Sequence, residues 1–582
     1  MSLFRKKMKP VKSDYSDFEA PKEPKSIKNP AKRTAINIVA TLLFAIVYYY
    51  VDLTAINLKS ESFYSFILMC CLVYGVVSVI TAGFKTTTLK GYFQFVKKQC
   101  RIPFFIAAAA IAVMLVGSLV GAKIFRANAY SQLLTVESGD FAAEVKEISY
   151  DQIPMLDAAS AEKLGDRKLG ELADMVSQFE VADNYTQINY QGSPVRVTPL
   201  LYGDWIKWFN NRAQGLPAYL VIDMVSQNVT VVRPESGIRY SMGDHFGHYL
   251  FRHLRFRYPT YMFDNPTFEI DEDGTPYWVC ARIQKTIGLF GGKDIVGAVL
   301  VNALDGECEY YSKEDCPTWV DHLYSAGLIE MQYNFHGRYK NGFINSILGQ
   351  RDVTVTTDGY NYIALGDDVY MYTGITSVGG DESNVGFILA NQRTKETKYY
   401  PCAGAEEFSA MSSAEGQVQH LGYVATFPLL LNIADQPTYF MALKDAAGLV
   451  KMYAMVNVSQ YQIVSTGDTV ANCEKNYRAM LAENNLIDTG DVDIGVVAGD
   501  TVSGTVAEIR SAVMGGDSQY FIRLTRHNGN NAYYRISASE CETAVILNVG
   551  DYVTISYEAG EGSILNATNV ALASAPVEES EE

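Results

Sequence analysis

The chain has 582 residues, with 48 Lys and Arg against 65 Asp and Glu, a formal net charge of −17, and 48% hydrophobic residues. That length predicts several domains with real cores, and the acid excess excludes the basic footprint of a nucleic-acid-binding protein. The charge is unevenly divided: residues 1–126 hold 18 Lys/Arg and 6 Asp/Glu, and residues 127–582 hold 30 and 59.

Residues 1–33 are polar, charged and Pro-broken, too poor in apolar residues to pack, and read as a disordered basic cytoplasmic tail. Three apolar runs follow, at residues 34–51, 62–84 and 103–125. At ~1.5 Å per residue each spans, or nearly spans, a ~30 Å hydrocarbon core. Tyr48, Tyr49 and Tyr50 form an aromatic girdle near the end of the first run. The stretch between the second and third runs carries Lys85, Lys90, Lys97, Lys98 and Arg101 and no acid. Positive charge resists translocation, so the tail and this loop stay inside, which places everything after Arg126 outside. A cleaved signal peptide is excluded by the long basic region and by the lack of a small-x-small site after Val51. The spans carry no ionisable residue away from their ends, so they predict anchoring rather than an ion path.

Residues 126–190 predict a juxtamembrane strand, Phe141–Ile148, and an amphipathic helix, Ala158–Glu180, built on Leu164, Leu169, Leu172, Val176 and Phe179. Residues 191–470 repeat. Val296–Tyr311 and Val385–Tyr400, 89 residues apart, match without a gap at seven of sixteen positions, and each reads as a β-hairpin. Tyr219–Val232 has the same shape about 79 residues earlier, and Tyr439–Tyr453 is a fourth candidate. Helical stretches are predicted at Asp204–Arg212, Asp244–Arg257, Lys313–Tyr324 and Ala405–Glu415. The fold class is therefore α+β, as helix-plus-antiparallel-sheet modules in series.

The turn residues Val301, Asn302, Asp305, Gly306 and Glu307, with Ala390, Asn391 and Glu396 and with Leu443, Asp445 and Gly448, resemble the PepSY module of exported and membrane-anchored bacterial proteins. The second copy departs from that pattern, with Thr394 and Lys395 where the family has a turn Gly. The resemblance implies an extracytoplasmic binding or regulatory module, acting on peptidases in the family, and implies no catalytic residues.

Residues 471–490 predict one more helix. Residues 491–572 carry five short strands and a brief helical link at Glu540–Leu547, which look like a small OB-type barrel. Residues 573–582 are an acidic tail.

Candidate chemistry is sparse. Asp244, as an N-cap, would put His245 and His248 on one face of a helix, where they are the candidate metal ligands. The competing reading is an interfacial helix whose imidazoles face acidic neighbours. Gly288–Lys293 fails the phosphate-loop pattern at both ends and reads as a flexible loop between strands. Asp271–Gly274 reads as a turn, since the downstream Glu of a calcium loop is missing. No nucleophile elbow is present. Nine cysteines show no zinc spacing, although Cys308 and Cys316 could bridge locally. Trp205, Trp208, Trp278 and Trp319 could line a groove or fill a core.

The sequence thus predicts a three-span, plasma-membrane protein with a cytoplasmic N-terminus and a large extracytoplasmic domain that binds rather than catalyses. No catalytic residue, cofactor or nucleic acid is expected. The expected partners are the lipid bilayer and another envelope protein or a peptide. The alternatives are an envelope hydrolase or metal-dependent enzyme using His245 and His248, and an accessory subunit of an export complex.

Overall fold

The computed structural model describes residues 27–83, 89–147, 153–379, 383–487, 500–514, 517–525, 532–538, 541–557 and 564–573. Most of the basic tail, the first residues of the loop between the second and third apolar runs, and almost all of the acidic tail lie outside these. The chain forms two compact units, Met1–Tyr477 and Arg478–Glu582.

Among the described residues three helices are long and apolar enough to cross a membrane: span 1 (Pro30–Asp52), span 2 (Glu61–Ala82) and span 3 (Arg101–Val120). Asn29 caps span 1 by accepting from the backbone N–H groups of Ala31 and Lys32, with Pro30 at the first helical position. Spans 1 and 2 are joined by side-chain hydrogen bonds. Asn37 Nδ2 donates to Ser78 Oγ (2.7 Å) and Thr81 Oγ1 donates to Asn37 Oδ1 (2.8 Å). The basic loop holds an eleven-residue helix, Leu89–Gln99. Span 3 stops at Val120, earlier than the apolar run predicts. The Gly121 carbonyl takes the Tyr130 hydroxyl (2.9 Å), and a second helix, Lys123–Ser131, bends at Arg126 to pack on helix Ala326–Tyr339.

Residues 179–467 form four antiparallel sheets of one plan. Each has two short strands end to end on one long strand, then two more strands outward. In sheet 1, Phe179–Val181 and Thr186–Tyr190 lie on Ser193–Tyr202, followed by Tyr219–Asp223 and Val229–Val232. In sheet 2, Met262–Phe263 and Thr267–Ile270 lie on Pro276–Ile287, followed by Gly291–Asn302 and Cys308–Ser312. In sheet 3, Thr354–Thr356 and Asn361–Leu365 lie on Asp368–Ser377, followed by Ser383–Asn391 and Thr397–Ala405. In sheet 4, Val424–Ala425 and Leu429–Ile433 lie on Gln436–Lys444, followed by Val450–Asn457 and Val464–Gly467. The inner short strands meet: Thr186–Tyr190 touches Thr267–Ile270 and Asn361–Leu365, and the last of these touches Leu429–Ile433. The sheets therefore radiate from a shared centre, and helices fill the rim, where the sequence predicted helix-plus-sheet modules in series.

The repeat is visible bond by bond. Ala298–Val301 pair with Cys308–Tyr311, and 89 residues later Phe387–Ala390 pair with Thr397–Tyr400 in the same register. Each sheet closes with an Asx turn between its last two strands. Asp223, Asn302, Asn391 and Asn457 accept through Oδ1 from the backbone N–H of Val225, Leu304, Arg393 and Gln460 at 2.8–2.9 Å. The next residue in each case (Met224, Ala303, Gln392, Val458) donates its N–H back to Pro194, Pro276, Val369 or Pro437. In sheet 4 the equivalent turn is thus at Asn457. Tyr439–Tyr453 is a real hairpin but joins the long strand to the one after it, Val450–Asn457. The residues that carry the PepSY resemblance in the first two copies are this turn. Lys395 adopts φ +66°, standing where Gly306 has φ +78°.

Other local expectations are corrected. Phe141–Glu144 is a helical turn capped by Asp140, and the strand is Val136–Ser138, parallel to Thr397–Ala405. Helix Ala158–Gly170 ends at its glycine. Val176 is exposed, and Phe179 already begins sheet 1, ahead of residue 191. Residues 313–324 are turns around Pro317, and the helix comes after them, at Ala326–Tyr339. Cys308 and Cys316 are unbridged, because they serve the two cores on opposite faces of sheet 2.

The second unit is a closed five-stranded barrel. Around it run Asp500–Met514, Asp517–Leu524, Tyr533–Ser537, Ile564–Leu572 and Tyr552–Tyr557, with Val506, Ile522, Ile536, Val553 and Ile555 inside.

Candidate functional site

His245 and His248 do not share a helix face. Asp244 is not a cap: it is buried, its carboxylate accepting from Trp208 Nε1 (2.8 Å) and Ser241 Oγ (3.2 Å). The chain turns through Phe246–His248, and the helix starts only at Leu250. The His245 ring packs on Trp205 and Trp208, each 4.8 Å away, and the His248 ring lies 4.9 Å from Tyr240. Desolvation, then Arg252, lowers the His245 pKa and favours the neutral ring. Among the described residues no group of three His, Cys, Asp or Glu side chains could hold a metal.

The polar centre lies where the inner strands meet. Glu269 is fully buried in the strand TFEI, and its carboxylate accepts from the N–H groups of Asp321 (2.8 Å) and His322 (3.3 Å) and from Thr267 Oγ1 (2.7 Å). Asp321 accepts the Asn189 N–H at 2.6 Å, and Asn189 Nδ2 donates to the Gly366 carbonyl at 2.8 Å. The buried Arg196 guanidinium donates to the carbonyls of Tyr185 and Leu156 and to Gln187 Oε1. Burial, then Glu269, pushes the Asp321 carboxyl well above the usual carboxylate range. Two acids buried among backbone donors have no open approach for a substrate. Their geometry ties sheets 1, 2 and 3 together. Sequence reasoning missed them because Asp321 and His322 fell in an expected helix. The one signal was an acid within the apolar strand Phe268–Ile270.

An open cleft of about 400 Å³ lies at the edge of sheet 3, bordered by residues 144–147, the end of strand Asn361–Leu365, and Tyr370, Glu396, Lys398 and Tyr400. Lys398 Nζ donates to Glu144 Oε2 (2.9 Å), and the Tyr400 hydroxyl donates to the same oxygen (3.3 Å). The Lys398 hydrogen bond holds the Glu144 carboxyl below its ordinary pKa, and Glu144 in turn raises Lys398. The segment that forms this wall goes on to sheet 4, where Asn432 Nδ2 donates to the Val145 carbonyl (2.6 Å). The cleft therefore offers both charges, two phenols and strand ends on a fixed frame.

No family model and no curated protein matches the sequence. Similar solved structures include a levansucrase variant from B. megaterium (TM-score 0.17, 9% identity, 76% of this chain and 96% of that one). Another is an exo-1,5-alpha-L-arabinanase from a bovine ruminal metagenomic library (0.15, 10%, 65% and 94%). A third is a levansucrase variant from Bacillus subtilis (0.14, 9%, 75% and 97%). Likenesses of this size carry no functional argument.

Proposed function

We propose that this chain is a membrane-anchored, extracytoplasmic binding or regulatory protein of the cell envelope, and that it takes an envelope protein or peptide at the sheet 3 cleft. The carrying observation is the cleft itself. It presents paired Glu144 and Lys398 beside Tyr370 and Tyr400 in the open, whereas Glu269 and Asp321 are buried, Glu269 accepting from two backbone N–H groups and Asp321 from one. A polypeptide, with both charges and backbone groups, complements such a lining. The regulatory role implied by the PepSY resemblance belongs to this proposal. So does the OB-like reading of the barrel, supported by its five strands and the parallel pairing of Tyr533–Arg535 with Ile564–Asn566.

The orientation is tested with a reporter active only outside the cell. Fused after Arg126 it is expected to be active, and within residues 85–102 silent; the reverse overturns the reading. The cleft is tested with a photocrosslinking residue at Lys146, which is exposed on its wall. A discrete adduct from intact membranes, lost on Lys398→Glu, is the expected result. An adduct pattern indifferent to Lys398→Glu would sink the cleft as the binding site.

A further inference from the structure

Four large apolar side chains stand together in the open beside the outer end of span 1. Trp205, Ile206 and Phe209 occupy one face of helix Trp205–Asn211 and are 52%, 69% and 53% exposed; Phe246, 55% exposed, packs on Trp205 and Trp208. This patch is continuous with the membrane helix. Arg252 Nη1 donates to the Phe246 carbonyl (2.8 Å), while its Nε donates to the Tyr50 carbonyl (3.1 Å), two residues before span 1 ends. The Arg252 guanidinium also lies 4.2 Å from the centre of the Tyr50 ring.

A second patch stands beside the end of span 3. Ile344, Ile347 and Leu348 are 72%, 57% and 82% exposed on the turn after helix Ala326–Tyr339. That helix packs on Lys123–Ser131, the direct continuation of span 3, through Phe335 and Tyr339 against Ala127 and Tyr130. The tip of the sheet 2 hairpin already packs among the apolar helices: Leu289 and Phe290 lie against Tyr64, Ala110 and Met114 of spans 2 and 3. Met114 lies six residues short of the end of span 3, or about 9 Å at 1.5 Å per residue.

We propose that the sheet domain is seated in the leaflet it adjoins, with Trp205, Ile206, Phe209 and Phe246 on one side and Ile344, Ile347 and Leu348 on the other immersed among lipid glycerol and upper acyl carbons. Both patches flank helices that must pass through that layer. Trp is the side chain best suited to an interface with one dry and one wet side. Cations sit at the margins, where lipid phosphates would lie: the Arg212 guanidinium is 3.8 Å from the Phe209 ring centre, and Arg351 is among the most exposed side chains beside the second patch. The occupant is lipid, and the contact adds an in-plane surface to three spans that would anchor the chain without it.

The full chain, reconstituted in phosphatidylcholine and phosphatidylglycerol vesicles, distinguishes the cases by tryptophan quenching. Lipids brominated at carbons 6 and 7 lie at about the depth an interfacial helix reaches, ~5–10 Å below the surface. Trp208 and Trp278 are buried and Trp319 is partly buried against the core beside sheet 2, so Trp205 is the most exposed reporter and Trp205→Phe isolates its share. The expected result is strong quenching by brominated lipid, weak quenching by aqueous iodide, and about a twofold loss of the lipid-quenched fraction in Trp205→Phe. Iodide quenching of Trp205 without lipid quenching overturns the proposal and leaves a protein as the occupant. A lipid-quenched fraction unchanged by Trp205→Phe overturns it as well. Ile206→Asp, on the exposed face, is expected to shift Trp205 from lipid to iodide quenching while spans and sheets stay folded by circular dichroism.

Discussion

The ring of Phe290 meets the ring of Tyr64 edge-on, with centroids 5.7 Å apart and planes at 89°. One residue is the tip of a β-hairpin and the other belongs to span 2, so the sheet domain packs directly on the apolar helices. Gly117 of span 3 makes room for it, since a Cβ there would stand 2.7 Å from Phe290 and 2.9 Å from Leu289. Gly117→Val is therefore expected to expel the hairpin tip, and Phe290→Ala to destabilise the docked domain by about 3 kcal/mol, the low end for such truncations. Thermal unfolding in detergent and protease cleavage within residues 285–293 are the measurements. An unchanged midpoint and an uncut hairpin in Gly117→Val would refute the wedge.

Burial pushes the Asp244 carboxyl up to about 6, against about 3.9 for an unfolded chain. Between those values the folded state binds more protons than the unfolded one. Stability contributed by this group is therefore full below about pH 4 and falls as pH rises through 6, by roughly 3 kcal/mol in total. Asp244→Asn keeps an acceptor for Trp208 Nε1 and carries no charge. It is expected to match wild type at pH 4 and to melt higher at pH 8. Parallel pH profiles for the two proteins would contradict this account.

Gly306 and Lys395 stand at the same place in their turns, both with positive φ, yet they respond differently to a side chain. A Cβ at Gly306 would lie 2.4 Å from the Tyr240 ring. Gly306→Ala adds that clash to a left-handed penalty and is expected to cost about 2–4 kcal/mol by urea unfolding. Lys395 already tolerates the conformation, and its Nζ bonds Asp294 (2.8 Å) and the Leu133 carbonyl (3.0 Å). Lys395→Gly trades relief of φ for loss of a half-buried ion pair, so a change within about 1 kcal/mol is expected.

Leu250 is fully buried and His248 is exposed. Leu250→Ala is expected to cost about 3 kcal/mol through the cavity it opens, and His248→Ala under 1. Equal losses would mean that the His248 contact with Tyr240 is structural. Zinc bound stoichiometrically and released on His248→Ala would revive the metal site.

Much of this architecture was legible in the sequence. The spans follow from uninterrupted apolar length, and the paired hairpins from Asn302 and Asn391 at the same offset from their Tyr pairs. Helix Trp205–Asn211 follows from Asp204, which does cap it, accepting from the Ile206 and Lys207 N–H groups at 2.8 and 2.9 Å. Asp244 carries the same local signal and does the opposite, because Trp208, 36 residues away, claims its carboxylate. The radial gathering of the sheets was not legible either. It rests on contacts such as Glu269 with Asp321, 52 residues apart, and on the inclusion of Val136–Ser138 in sheet 3 about 260 residues before its partner strand. The hairpin tip Gly288–Phe290 reads locally as a loop, and only the helices around it reveal a plug.

Among the described residues the apolar helices join the sheets without a flexible tether. The Ile56 N–H donates to the Pro259 carbonyl (2.8 Å), Arg255 Nε to the Leu53 carbonyl (2.6 Å), and Lys59 Nζ to the Lys285 carbonyl (2.6 Å). With the wedge these bonds remove the swivel that a flexible linker would give. A torque applied to the sheets is then carried through the contact at Gly117 into helix Arg101–Val120 instead of being absorbed in a hinge. The wall of Glu144 and Lys398 therefore keeps one bearing relative to the apolar helices.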